Sequence, residues 1–239
     1  MVTRYYIGAP VVRGTIEGYA RRFDLAEVEL KGGKGSPAVK ALRRWRKNVP
    51  ASFQFAVVAP PSLSSLDASK REHDVALVQA AADALQARCI VIRTPPDVRP
   101  SASTQRALIS IFEAFPRDAT HVVWEPSGLW EVEEAAAFAK SRRVVVSVDP
   151  TQEKVPSGAF VYLRVRGLGQ AHGLSEHALS ELVKKLSQRR EVFIILDTAK
   201  PATDRKRWLS VFESRLEESG KEGRLIRPRN GLTVIDDEQ

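Results

Sequence analysis

Charged residues that close apolar runs are where this sequence offers chemistry. Glu29 and Lys31, Arg93, Trp124 and Glu125, Asp149, Arg164 and Arg166, and Asp197 with Lys200 each stand at or near the end of a run rich in Val, Ile or Phe. Charges at the ends of buried strands are costly unless they are paired or open into a cleft. Two arrangements answer that cost: a salt-bridge layer that plugs the interior, or a pocket of carboxylates and cations. In the pocket reading, Arg93, Arg164 and Arg166 hold an anion, because guanidinium grips a carboxylate or phosphate with two parallel hydrogen bonds. Glu125 and Asp149 then serve as general acid/base or orienting groups, with Glu29, Lys31, Trp124 and Asp197 lining the ligand.

Glu29, Glu125, Asp149 and Asp197 are also hard oxygen donors of the kind that hold Mg2+ or Mn2+. Neighbouring Arg and Lys compete for them. The four histidines, His73, His121, His172 and His177, are badly placed for zinc or iron, so no metal or other cofactor is assigned. Gly32-Gly33-Lys34-Gly35 and Gly167-Leu168-Gly169 are short glycine turns whose amides could cradle phosphate, or simply let the chain reverse. There is no Walker-type loop and no Gly-x-Ser-x-Gly elbow. Cys89, the single cysteine, lies in the run Cys89-Ile90-Val91-Ile92 and reads as a buried thiol.

The elements that must position these residues are legible as a rhythm. Candidate strands cover Tyr5–Ala9, Ala26–Leu30, Phe53–Ala59, Cys89–Arg93, His121–Glu125, Val144–Asp149, Phe160–Val165 and Val192–Asp197. Their near-continuous apolar character fits strands covered on both faces. Between them the apolar spacing becomes helical: Leu108, Ile111, Phe112 and Phe115; Leu179, Leu182, Val183 and Leu186; Val75, Val78, Ala82 and Leu85. Ser36-Pro37, Ser101 and Ser175 supply helix starts. Eight strand–helix units in 239 residues predict an α/β fold, a (β/α)8 TIM barrel with its chemistry on the loops after the strands. The sixth unit is irregular, because 150–158 is too short and Pro-rich for a covering helix. Residues 1–220 form the single barrel domain, and 221–239, without a period, a C-terminal extension.

No apolar stretch approaches the ~20 residues that span a bilayer, and the N-terminal residues lack a signal-peptide core, so a cytoplasmic protein with no membrane partner is expected. The formal net charge of +8 suits an anionic partner, nucleic acid included, or a solvated Arg-rich surface. No aromatic residues interleave with the basic ones as a stacking platform requires.

Tyr19-Ala20-Arg21-Arg22-Phe23, Val28-Glu29, Trp45, Pro50, Phe53-Gln54-Phe55, Pro95-Pro96, Trp124-Glu125-Pro126, Trp130, Val148-Asp149 and Tyr162-Leu163-Arg164 with Gly167 occur in an order that resembles the YecE-like family, also called domain of unknown function 72. The resemblance runs from about residue 5 to 210 and implies a TIM barrel without a generally established activity. The chain departs from the pattern at several polar positions. Leu30-Lys31-Gly32-Gly33 replaces an Asn-containing segment, Val58 a Lys, Arg93 a Gln, Ser127 an Arg, Arg166 a His, and Leu196-Asp197 an Asn-Asn pair. Two histories fit these departures: a pocket rebuilt for another ligand, or a decayed site. The expectation is therefore a basic barrel protein that binds or acts on a small anionic ligand, carboxylate or phosphate, at the C-terminal strand ends. The alternatives are a nucleic-acid-binding or nucleic-acid-processing protein, and a catalytically inactive interaction protein.

Overall fold

The computed structural model describes residues 3–32, 35–116, 119–166, 176–187, 189–218, 225–226 and 232–234. Parallel strands β1 (Thr3–Ala9), β2 (Leu25–Glu29), β3 (Gln54–Val58), β4 (Cys89–Arg93), β5 (His121–Glu125), β6 (Val145–Val146), β7 (Phe160–Arg166) and β8 (Glu191–Asp197) alternate with helices. The helices are α1 (Ile16–Ala20), α2 (Val39–Lys47), α3 (Pro61–Ser64), α4 (Arg71–Leu85), α5 (Ala102–Glu113), α6 (Val132–Ser141), α7 (Glu176–Leu186) and α8 (Pro201–Glu218). The fold is a (β/α)8 barrel. The chain divides into two compact units: Met1–Ala26 with Ala51–Phe53 and Val148–Gln239, and Glu27–Pro50 with Gln54–Ser147.

In the first unit β8 lies between β1 and β7, all parallel, and β1 begins its pairing with β2 at Gly8 opposite Leu25. A Cβ at Gly8 would collide with the Leu25 carbonyl oxygen, so only glycine admits that approach. Tyr19, fully buried, ties the same corner. Its hydroxyl accepts from Ala9 N at 2.8 Å and lies 3.0 Å from the Leu25 carbonyl, while its ring stacks on Phe23. Within the stretch expected to be an extension, β10 (Leu232–Val234) pairs antiparallel with β1, and β9 (Leu225–Ile226) with β10. The sixth unit has no helix between β6 and β7, as its prolines require.

In the second unit β3, β4, β5 and β6 are consecutive parallel neighbours. The expected helical stripes are buried: Leu108, Ile111, Phe112 and Phe115 here, and Leu179, Leu182, Val183 and Leu186 in the first unit. Val78, Ala82 and Leu85 of α4 are buried too, while Val75 is half-buried. Ser101 caps α5 through Thr104 N, as its sequence suggests. Ser36 does something else. Helix α2 begins only at Val39, and the Ser36 hydroxyl instead accepts from Lys31 N and Gly32 N, closing the turn that follows β2. Strand β6 is shorter than its apolar run, because the Val144 amide is taken by the Ala139 carbonyl at the end of α6, with Arg143 at φ 56° in the left-handed region. Ser175 and the two glycine turns around Gly33-Lys34 and Gly167-Leu168-Gly169 lie outside the described residues, as does His172.

Candidate functional site

The expected site residues fall into two groups, one in each unit. In the second unit, β2 runs Leu25-Ala26-Glu27-Val28-Glu29, and its period of two sets Glu27 and Glu29 on the same face. Arg93 ends β4 directly opposite Glu125 of β5. The Arg93 guanidinium reaches all three carboxylates: Nη2 to Glu27 Oε2 at 2.5 Å, Nη1 to Glu29 Oε1 at 3.2 Å, and Nε to Glu125 Oε2 at 3.4 Å. The Glu27 side chain is completely buried, whereas that of Glu29 is 54% exposed. The shortest contact is with the fully buried carboxylate, and Glu29 is the most exposed of the three. Glu27 is the fixed partner, and Glu29 the loosely held one.

Arg93 and Glu29 border a cleft of about 480 Å³ at the C-terminal ends of β2, β3 and β4. Leu30, Val58, Ala59 and Pro95 give it apolar walls, with Ser64 of α3 and exposed Lys31 at its edge. Its size lies within the range of small-molecule sites, roughly 300–1,000 Å³. Lys31 is set by the Ser36 hydroxyl on its amide and by Gly32 at φ 76°.

Two readings from sequence change here. Arg93, expected to grip an anion outright, is already gripped by three carboxylates of the chain. Trp124, expected to line a ligand, faces the helices. Alternation along β5 turns it away from Glu125, and it packs in T-shaped contact with Trp130 at 4.8 Å and against Phe112, its Nε1 donating to Thr94 Oγ1 at 3.1 Å. Ser127 donates its hydroxyl to the Thr94 carbonyl. Glu27 was missed by a reading confined to strand ends; its signal was a charge inside an otherwise apolar strand.

The first unit holds the other group. Asp149 is buried, and both its oxygens accept from the chain: Oδ1 from Thr151 N at 3.0 Å and Thr151 Oγ1 at 2.7 Å, Oδ2 from Arg166 N at 2.9 Å. The Asp149 carbonyl meanwhile accepts from Gln152 N and Glu153 N. This is a turn-forming aspartate, not one with an idle oxygen for acid/base work. Arg164 is buried, with Nη1 3.6 Å from Asp197 Oδ2, and Arg166 is exposed. Lys200 is exposed as well. Another buried pair, Asp24 with Arg205 at 2.8 Å, fastens α8. Burial pushes the Asp24 carboxyl above its ordinary 3.8, and Arg205 opposes that shift.

Among the described residues no three His, Cys, Asp or Glu side chains are arranged to hold a metal ion. Where Glu27, Glu29 and Glu125 converge, Arg93 supplies the positive charge. No helix among the described residues is long and apolar enough to cross a membrane.

Known structures share this fold. A DUF72 family protein of Enterococcus faecalis V583 is 18% identical with a TM-score of 0.68, the match covering 87% of this chain and 95% of that one. A DUF72 family protein of Thermotoga maritima MSB8 is 17% identical with a TM-score of 0.67, covering 89% and 99%. A family 2 AP endonuclease of Brucella melitensis is 14% identical with a TM-score of 0.61, covering 84% and 96%. No curated protein matches the sequence. At these identities the likeness is one of fold. The model of the family described as "Protein of unknown function DUF72" matches residues 4–229, and the chain belongs to that family.

Proposed function

We propose that this protein binds a small molecule carrying a carboxylate or phosphate in the cleft at the ends of β2, β3 and β4. The observation that supports this reading is the asymmetric hold on Arg93. Glu27 anchors the guanidinium from the buried side, and Glu29, more than half exposed, occupies Nη1 at the cleft. Glu29 acts as an internal stand-in. An incoming acidic group displaces it, takes Nη1 of Arg93, and draws a second positive charge from Lys31, while the ligand's apolar part lies on Leu30, Val58, Ala59 and Pro95. Glu125, whose side chain is 9% exposed, lies 3.4 Å from Arg93 Nε and helps to orient the guanidinium behind the cleft. Asp149 has no part in this chemistry.

The test is competition. Thermal shift and calorimetric titration with inorganic phosphate and a panel of small mono- and dicarboxylates should find ligands for the wild type. Glu29→Gln, by removing the stand-in, should tighten them about two- to fivefold, the equivalent of an exposed ion pair of up to ~1 kcal/mol. Lys31→Gln should weaken them. Unchanged affinity in both variants would remove the cleft from consideration.

A further inference from the structure

Helix α2, Val-Lys-Ala-Leu-Arg-Arg-Trp-Arg-Lys, has five basic residues and no acidic one. Arg46 belongs to the fold: it stacks over the Phe55 ring at 5.3 Å and donates to the carbonyls of Val49 and Pro50. The other four, Lys40, Arg43, Arg44 and Lys47, are exposed. Their spacing of i, i+3, i+4 and i+7 sets them in one stripe, about 10 Å long at 1.5 Å per residue. The helix's own electrostatics does not account for this. Cations suit its last turn, but Lys40 lies in the first, where the dipole disfavours positive charge. Within the stripe each neighbour three or four positions away repels. The chain's net charge of +8 adds to the field.

We propose that the solvent face of α2 docks on the phosphate backbone of duplex nucleic acid, independently of the cleft. The surroundings favour that occupant over other polyanions. A bilayer surface calls for apolar residues beside the cations, yet Leu42 is buried and Val39 and Trp45 half-buried. An acidic protein calls for a desolvated apolar centre, and the large exposed apolar residues among those described, Val11 and Leu129, are not on α2. A single strand calls for open aromatic faces, which the half-buried Trp45 does not give. What the stripe does offer is two guanidinium forks and two ammonium groups over a length that holds about three phosphates of one strand. Contacts of this kind carry no sequence preference.

The experiment is fluorescence anisotropy of a labelled short duplex DNA across a salt series. It compares the full chain with a variant combining Lys40→Gln, Arg43→Gln, Arg44→Gln and Lys47→Gln. These side chains are exposed, and circular dichroism and melting should show the variant folded. The wild type should bind at low salt, and the variant should lose most of that affinity. Its plot of log affinity against log salt should flatten by about two to three, at ~0.9 per phosphate contact. The proposal is overturned by absence of duplex binding at low salt, by equal slopes in the two proteins, or by tighter binding to single strands or phosphatidylserine vesicles than to duplex. Lys31, Glu29 and Arg93 are untouched by these substitutions, so failure here leaves the cleft's ligand binding to its own test.

Discussion

The Arg93 cluster and the Asp149 cluster occupy the same kind of position, the ends of apolar parallel strands, and use charge differently. Around Asp149 the donors are mostly main-chain amides and a neighbouring hydroxyl, so the carboxylate is consumed in forming the turn that replaces the missing sixth helix. Around Arg93 one guanidinium is shared by three carboxylates of very different exposure, beside an apolar cleft. A strand-end charge is therefore informative only together with what satisfies it. Backbone partners mark a structural group, while exposed and exchangeable side-chain partners mark a group that can take a ligand.

The largest effect should come from cutting the buried side of the Arg93 cluster. Arg93→Met leaves the fully buried Glu27 carboxylate without this cation, which costs about 3–5 kcal/mol when a buried pair is broken. Adding Glu27→Gln should recover a large part of the loss in urea denaturation. No recovery would mean that Arg93 stabilises through packing and that Glu27 is not its anchor.

A similar loss is expected for Arg205→Gln, which strands Asp24. This pair also carries a pH signature. The folded-state carboxyl of Asp24 is raised above 3.8, so the folded protein holds its proton where the unfolded chain has released it. Asp24 thus makes stability fall as pH rises from about 4 toward its raised folded value. Asp24→Asn should flatten that part of the stability profile, and an unaltered profile would show that the slope arises elsewhere.

Asp149→Asn should have a smaller effect. Asn keeps one acceptor oxygen but turns an NH2 group toward the amide of either Thr151 or Arg166, so one bond to a charged acceptor is lost, for about 1.5–3 kcal/mol. Ligand affinity in the cleft should not change. A change in affinity without a change in stability would reverse the roles assigned to the two clusters.

Much of the fold was open to sequence reading because buried parallel strands are written as uninterrupted apolar runs. Cys89–Arg93 and His121–Glu125 match their runs end to end. Where boundaries moved, a hydrogen bond outside the pattern was responsible: the Val144 amide is claimed by α6, and the Ser36 hydroxyl turns back to Lys31 instead of capping a helix. The candidate site was only half legible. Arg93, Glu29 and Glu125 stood out as strand-end charges, but composition does not say which cation is already paired. Trp124 was read with its neighbour Glu125, although adjacent residues of a strand face opposite sides. Glu27 escaped because it lies within its strand and not at the end.

The most direct test of the contrast is an NMR titration of arginine side chains. The Nε–H resonances of Arg93, Arg164 and Arg166, assigned by single Arg→Lys substitutions, would be followed while adding the phosphate or carboxylate that binds most tightly in the thermal-shift panel. The account predicts that Arg93 shifts saturably, at the same midpoint as the calorimetric titration, while Arg164 and Arg166 stay in place. Saturable movement of Arg164 or Arg166 with Arg93 unmoved would put the ligand on the other unit and contradict the account.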